Sequence, residues 1–154
     1  MADVLSSEQR QRCMSSVGNK DTKPERMLRS LLHRSGLRYR LHRSDLPGSP
    51  DLVFPSCRAV IFVHGCYWHY HGCARSSVPK TRSDFWRKKL QDNRDRDRRT
   101  VDALVSSNWR VLLVWECALI GKNKVGGENL VTNVVRWLNS DVRFAEISSQ
   151  SQTG

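Results

Sequence analysis

Three observations predict an α/β fold with a mixed central sheet flanked by helices. Cys57-Arg58-Ala59-Val60-Ile61-Phe62-Val63 contains an apolar run suited to a strand buried on both faces, and Trp109 to Trp115 (WRVLLVW) is a second such strand. A helical segment separates them, as a parallel crossover requires. Asp51-Leu52-Val53-Phe54 reads as the other arm of a hairpin closed by the turn Pro55-Ser56.

At 154 residues the chain has the size of one ordinary domain, which can bury a core without disulfide staples. Residues 1–20 read as an arm, 21–140 as the folded domain and 141–154 as a disordered tail. The arm contains a short basic helix over 6–17, with too few apolar positions for a core face. Asp21 and Thr22 precede Pro24 and Glu25, a helix start with proline in its first turn, and Met27, Leu28, Leu31 and Leu32 then recur at helical spacing until Gly36. Leu37, Tyr39 and Leu41 alternate with Arg38, Arg40 and His42, as in a strand with one wet face, and a turn follows over Leu46 to Pro50.

Asp84 is the expected cap of a helix carrying Phe85, Trp86 and Leu90. Its segment QDNRDRDRRT, residues 91–100, is charged all round and reads either as a solvated surface or as a helix with one face lining a site. Residues 118–127 read as a loop, and Leu130, Val131, Val134, Val135 and Leu138 mark an amphipathic helix. The polar end, SSQSQTG, cannot repay its ordering entropy.

Twenty-six Lys and Arg against fifteen Asp and Glu give a net charge of +11, so a polyanion is the first partner to consider. No apolar stretch is long enough to span a membrane and no hydrophobic signal region opens the chain, so a cytoplasmic protein is expected. Five scattered cysteines suit a reducing compartment and metal binding better than a disulfide framework, with Cys13 and Cys57 as plain thiols.

The chemistry concentrates in Phe62 to Cys73 (FVHGCYWHYHGC). Cys66, His71 and Cys73 supply three ligands of a tetrahedral zinc site, and the remote Cys117, at the end of the second strand, supplies the fourth. Four protein ligands leave no open position, so this zinc is structural. His64 and His69 are then available for acid-base work. Tyr67 and Trp68 are candidates for stacking on bases. Asp51, at a strand edge beside the strand end Phe62-Val63-His64, has the setting of a Mg²⁺-holding carboxylate. Glu25, and Asn93 with Asp97 four residues on, can converge on it.

Pro50-Asp51, the string Ile61 to His69 (IFVHGCYWH), Thr81 to Trp86 (TRSDFW), the segment Asn93 to Arg99, and Trp109 through Cys117 together resemble the very-short-patch repair (Vsr) DNA mismatch endonucleases over nearly the whole chain. The resemblance implies a restriction-endonuclease-like fold of the PD-(D/E)xK superfamily, with Phe62-Val63-His64 where most members carry (D/E)xK. It implies an enzyme that nicks DNA 5' of the T in a T:G mismatch left by deamination of 5-methylcytosine. Asp51 and the main-chain carbonyl of Val63 then resemble the Mg²⁺ ligands, and His69, oriented by Asp97, the general base. Glu25, His64 and Asn93 resemble partners of the metal's waters. Cys66, His71, Cys73 and Cys117 match the family's structural zinc site. Tyr67, Trp68 and Trp86, with Met14 of the arm, match the side chains that insert into DNA. Tyr67 stands where phenylalanine is common in the family.

The implied partner is double-stranded DNA carrying a T:G pair, bound by a monomer, with other mismatch-repair proteins as further partners. A non-catalytic zinc-stabilised DNA-binding protein shares the charge and the zinc ligands but has no use for Asp51, His69 and Asp97. A zinc hydrolase would need an open metal position and a motif such as HExxH. A restriction endonuclease of the same superfamily stays open, although the Tyr67-Trp68 pair suits a mispaired step better.

Overall fold

In the computed structural model, residues 22–66, 83–121 and 124–149 are described. A five-stranded mixed sheet lies between helices on both faces. In chain order the elements are α1 (Lys23–Arg34), β1 (Arg40–Leu41), β2 (Leu52–Phe54), a 3₁₀ turn (Pro55–Cys57), β3 (Ala59–His64), α2 (Ser83–Ser106), β4 (Arg110–Trp115), α3 (Glu116–Leu119), α4 (Gly127–Leu138) and β5 (Phe144–Ile147). The strands stand side by side in chain order. β1 with β2 and β2 with β3 are antiparallel, while β3 with β4 and β4 with β5 are parallel.

The hairpin and the crossover appear as expected. β2 pairs with β3 from Leu52↔Ile61 to Phe54↔Ala59, and β3 runs beside β4 from Ala59↔Arg110 to His64↔Trp115. Because side chains alternate across a strand, β3 and β4 feed two cores. Ala59, Ile61, Leu112 and Val114 join Leu28 and Leu32 of α1 and Leu130, Val134 and Trp137 of α4. Val60, Phe62, Val111, Leu113 and Trp115 join Leu104 of α2 on the other face. α1 begins as predicted: Thr22 accepts the Glu25 N–H on its side chain at 3.4 Å. It ends at Arg34, with Gly36 beyond it at φ +94. None of the described helices is long and apolar enough to cross a membrane.

Several boundaries differ from expectation. The strand expected over Leu37 to His42 is reduced to Arg40–Leu41. Tyr39 instead turns its hydroxyl to the Arg29 carbonyl at 2.7 Å, and His42 leaves the ladder at φ +48. Asp84 lies inside the first turn of α2, which starts at Ser83. The loop expected from residue 118 begins after a helical turn that buries Cys117, Ala118 and Leu119.

The largest correction concerns the tail, because Phe144–Ile147 forms β5 and pairs with β4 from Val111↔Phe144 to Val114↔Ile147. β4 offers an open edge whose backbone groups need partners, and Ala145 and Ile147 reach the core while Phe144 and Glu146 face outward. Four alternating residues amid polar ones carry little sequence signal.

Gly48 fixes the loop that leads into Asp51. It has φ +73, and a Cβ there would stand 2.4 Å from Thr100 Cγ2 and 3.2 Å from Phe62 Cε1. Gly48→Ala is expected to cost about 2 kcal/mol or more, from backbone strain and the clash together. Thermal unfolding checks this: adding Thr100→Ser, which removes Cγ2, should recover the clash part and leave the backbone part.

Candidate active site

Asp51 stands between the buried Pro50 and the first residue of β2, with 8% of its surface exposed. The hairpin brings β3 alongside, so that the Val63 N–H donates to Asp51 Oδ2 at 2.7 Å. In extended backbone a residue's N–H and C=O point to the same edge, so the Val63 carbonyl also faces the side that carries Asp51.

Glu25, in the first turn of α1, is 1% exposed. Its Oε2 accepts from Arg29 Nη1 at 2.8 Å and lies 2.8 Å from His42 Nε2. Burial pushes the Asp51 carboxyl up to about 8; the Val63 N–H opposes this, the Glu25 carboxyl adds to it by charge and hydrogen bond, and Arg29 opposes it. Ionising Asp51 in this low-dielectric site beside Glu25 is therefore costly, and a further cation would relieve that cost.

Among the described residues, Glu25, His42 and Asp51 bring one ligand atom each within 4.8 Å of one another. The donor set suits Mg²⁺, which keeps most of its waters and takes one or two carboxylates. The cleft, about 440 Å³, is lined by polar groups able to hold such waters, including Thr22, Ser44, Ser49 and Thr100.

His64 and Asp97 line the same cleft. His64, the last residue of β3, is buried beside the Phe62 and Trp115 rings, with centroids at 5.6 and 5.3 Å. Asp97 arrives from α2, where, of the two readings of residues 91–100, the one in which a face lines a site is observed. Arg96, Asp97 and Thr100 face the cleft, whereas Gln91, Asp92 and Arg99 are exposed. The 3.6-residue period lets a uniformly charged helix present one face to a site, and charge alone hides which face.

Asn93, a turn before Asp97, is half-buried and does not line this cleft. Trp86 stands about 16 Å further back along the helix axis, eleven residues from Asp97. It is half-buried, edge-on to Phe85 at 5.4 Å, with Lys89 over its ring. Met14, Tyr67, Trp68, His69, His71 and Cys73 lie outside the described residues.

Two of the four expected zinc ligands are described. Cys66 and Cys117 each follow by two residues the last register pair of β3 and β4, His64↔Trp115, so topology sets both at one end of adjacent strands. Both thiols are buried. Cys66 N–H donates to Glu116 Oε1 at 3.4 Å, and Ser149 N–H donates to Cys117 Sγ at 3.2 Å. Cys57, by contrast, is exposed.

His42 and Arg29 are the site residues that sequence reasoning missed. His42 fitted the alternation of a strand, and Arg29 stands at an ordinary i, i+4 spacing from Glu25; neither carries a motif.

Comparison with known proteins shows the family of the chain. The sequence model of the DNA mismatch endonuclease Vsr family matches residues 2–75. The chain is 43% identical over 150 residues to the DNA mismatch endonuclease Vsr of Escherichia coli (strain K12), across 97% of this chain and 96% of that protein. It is 55% identical over 119 residues to the type II nicking enzyme V.XorIIP of Xanthomonas oryzae pv. oryzae, across 77% of this chain and 88% of that protein. To the type II nicking enzyme V.NmeAIP of Neisseria meningitidis serogroup A it is 34% identical over 142 residues, across 92% and 100%. A chain that matches such a protein over nearly the whole length of both belongs to the DNA mismatch endonuclease Vsr family, and it is a DNA endonuclease.

Proposed function

We propose that this endonuclease is Mg²⁺-dependent and nicks the strand 5' of the T in a T:G mismatch left by deamination of 5-methylcytosine. The observation that carries the reading is the buried Asp51–Glu25 pair opening into a polar cleft that His64 and Asp97 also line. A buried acid pair is costly to keep, and a dication against a phosphate explains its presence. When bound, the ion neutralises charge at the scissile phosphate. Asp51 and the Val63 carbonyl would hold it, and Glu25 and His64 would hold its waters, with Asn93, half-buried a turn before Asp97, supporting them from α2 outside the cleft lining. His69 takes the proton of the attacking water, and Asp97 fixes the orientation of that imidazole.

Tyr67, Trp68, Trp86 and Met14 insert beside the mispaired step, which costs less to unstack than a paired one. Residues 1–20 clamp the duplex, and the net +11 supplies salt-dependent attraction to the phosphates. Zinc held by Cys66, His71, Cys73 and Cys117 pins the loop after β3 to the end of β4. The protein works as a monomer in the cytoplasm.

The mapped products of a labelled duplex with one T:G pair, run beside its T:A counterpart, test this reading. A single break 5' of the mispaired T is expected. Cleavage of both strands of the T:A duplex would favour a restriction endonuclease, and binding without cleavage a DNA-binding protein.

A further inference from the structure

His42 has no place in the motifs that point to the active site, yet three of its features converge there. Its backbone is left-handed, at φ +48, which is uncommon outside glycine and persists where the surroundings enforce it. In that conformation its N–H donates to the Asp51 carbonyl at 3.2 Å. Its ring Nε2 meets Glu25 Oε2 at 2.8 Å from within the cleft. A regular strand would carry the side chain past the site. The left-handed turn brings one residue onto both acids, Asp51 through the backbone and Glu25 through the imidazole.

The two acids belong to separate parts of the fold, Glu25 to α1 and Asp51 to the segment immediately before β2. Arg29 also holds Glu25, but it sits one turn along the same helix and ties the carboxylate only to α1. The two carboxyls meet directly through a hydrogen bond, and the His42 ring adds a second tie from Glu25 to the segment that leads into Asp51.

We propose that His42 is a positioning residue for the metal site, holding the Glu25 carboxylate against Asp51 so that a divalent cation meets a preformed pair. The inference rests on the reading of Asp51 as an ion-holding carboxylate. It requires only a hydrogen-bond donor facing Glu25 from this position, so an amide at the same place should serve in part.

The test is Mn²⁺ binding to the full chain, followed by loss of the free-ion electron paramagnetic resonance signal, with thermal unfolding alongside. His42→Gly suits the left-handed backbone while deleting the imidazole, so it should melt close to wild type yet bind Mn²⁺ about 10- to 100-fold more weakly, as loss of a partner behind a ligand does. His42→Gln, whose amide nitrogen can stand near the former Nε2, should recover most of that loss. In a Glu25→Gln background, His42→Gly should add little, because both changes act on one contact.

Wild-type Mn²⁺ affinity in His42→Gly, or full additivity with Glu25→Gln, overturns the inference and leaves the metal reading of Asp51 intact. A wild-type chain that binds no Mn²⁺ overturns that reading, and this inference with it.

Discussion

Asp51→Asn is expected to abolish nicking and, in the absence of divalent ions, to make the protein more stable at pH 8. The carboxyl rises on folding from its ordinary 3.8 to about 8, chiefly because it is buried. The native state thus holds a proton that the unfolded chain has already released. The stability this proton contributes is complete below about pH 4 and is lost as pH rises through about 8. Asparagine has nothing to release, so the decline across that window should vanish, a gain on the order of 2–5 kcal/mol at pH 8.

Melting in chelator at pH 5 and pH 8 reads this directly. Wild type should fall between the two, Asp51→Asn should not, and added Mg²⁺ should raise wild type alone. Nicking should drop about 10³-fold or more, since metal stabilisation of the transition state is worth several kcal/mol. An unchanged pH slope in Asp51→Asn would place the acid pair's cost elsewhere.

The second large effect concerns the other end of the strands. Cys117→Ser should remove bound zinc and about 3–5 kcal/mol of stability together, roughly 10 °C in melting temperature for a chain of this size, because metal-binding free energy is folding free energy. Cys57→Ser, at an exposed thiol, should change neither. Metal analysis and melting of the purified wild type with and without chelator provide the check. A zinc-free wild type that melts unchanged would remove the structural metal from the account.

These expectations rest on features that differ in how far a sequence can show them. β3 and β4 were legible because strands buried on both faces leave an unbroken apolar run, and the intervening helix dictated a parallel pair. α1 and its cap at Thr22 were legible through Pro24 and the leucine spacing. β5 was not, because its place depends on the open edge of β4 more than on its own four residues.

In the site, Pro50-Asp51 and His64 were found through their position at strand ends. The i, i+4 spacing of Asn93 and Asp97 marked a shared helix face, while charge on every side of residues 91–100 left open whether that face is solvated or lines the site. His42 was misread because one left-handed residue reverses the direction of a side chain without altering the alternation that suggested a strand. Which residues gather around a buried acid is a tertiary matter, and a period of two cannot encode it.

Single-turnover nicking of a T:G duplex in saturating enzyme, with Mg²⁺ titrated and a T:A duplex and Asp51→Asn in parallel, tests the central claim most directly. The account predicts saturable Mg²⁺ dependence on the T:G strand, little cleavage of T:A, and none by Asp51→Asn although that variant still binds the mismatch. Mg²⁺-independent nicking, equal rates on both duplexes, or persistent cleavage by Asp51→Asn would contradict it.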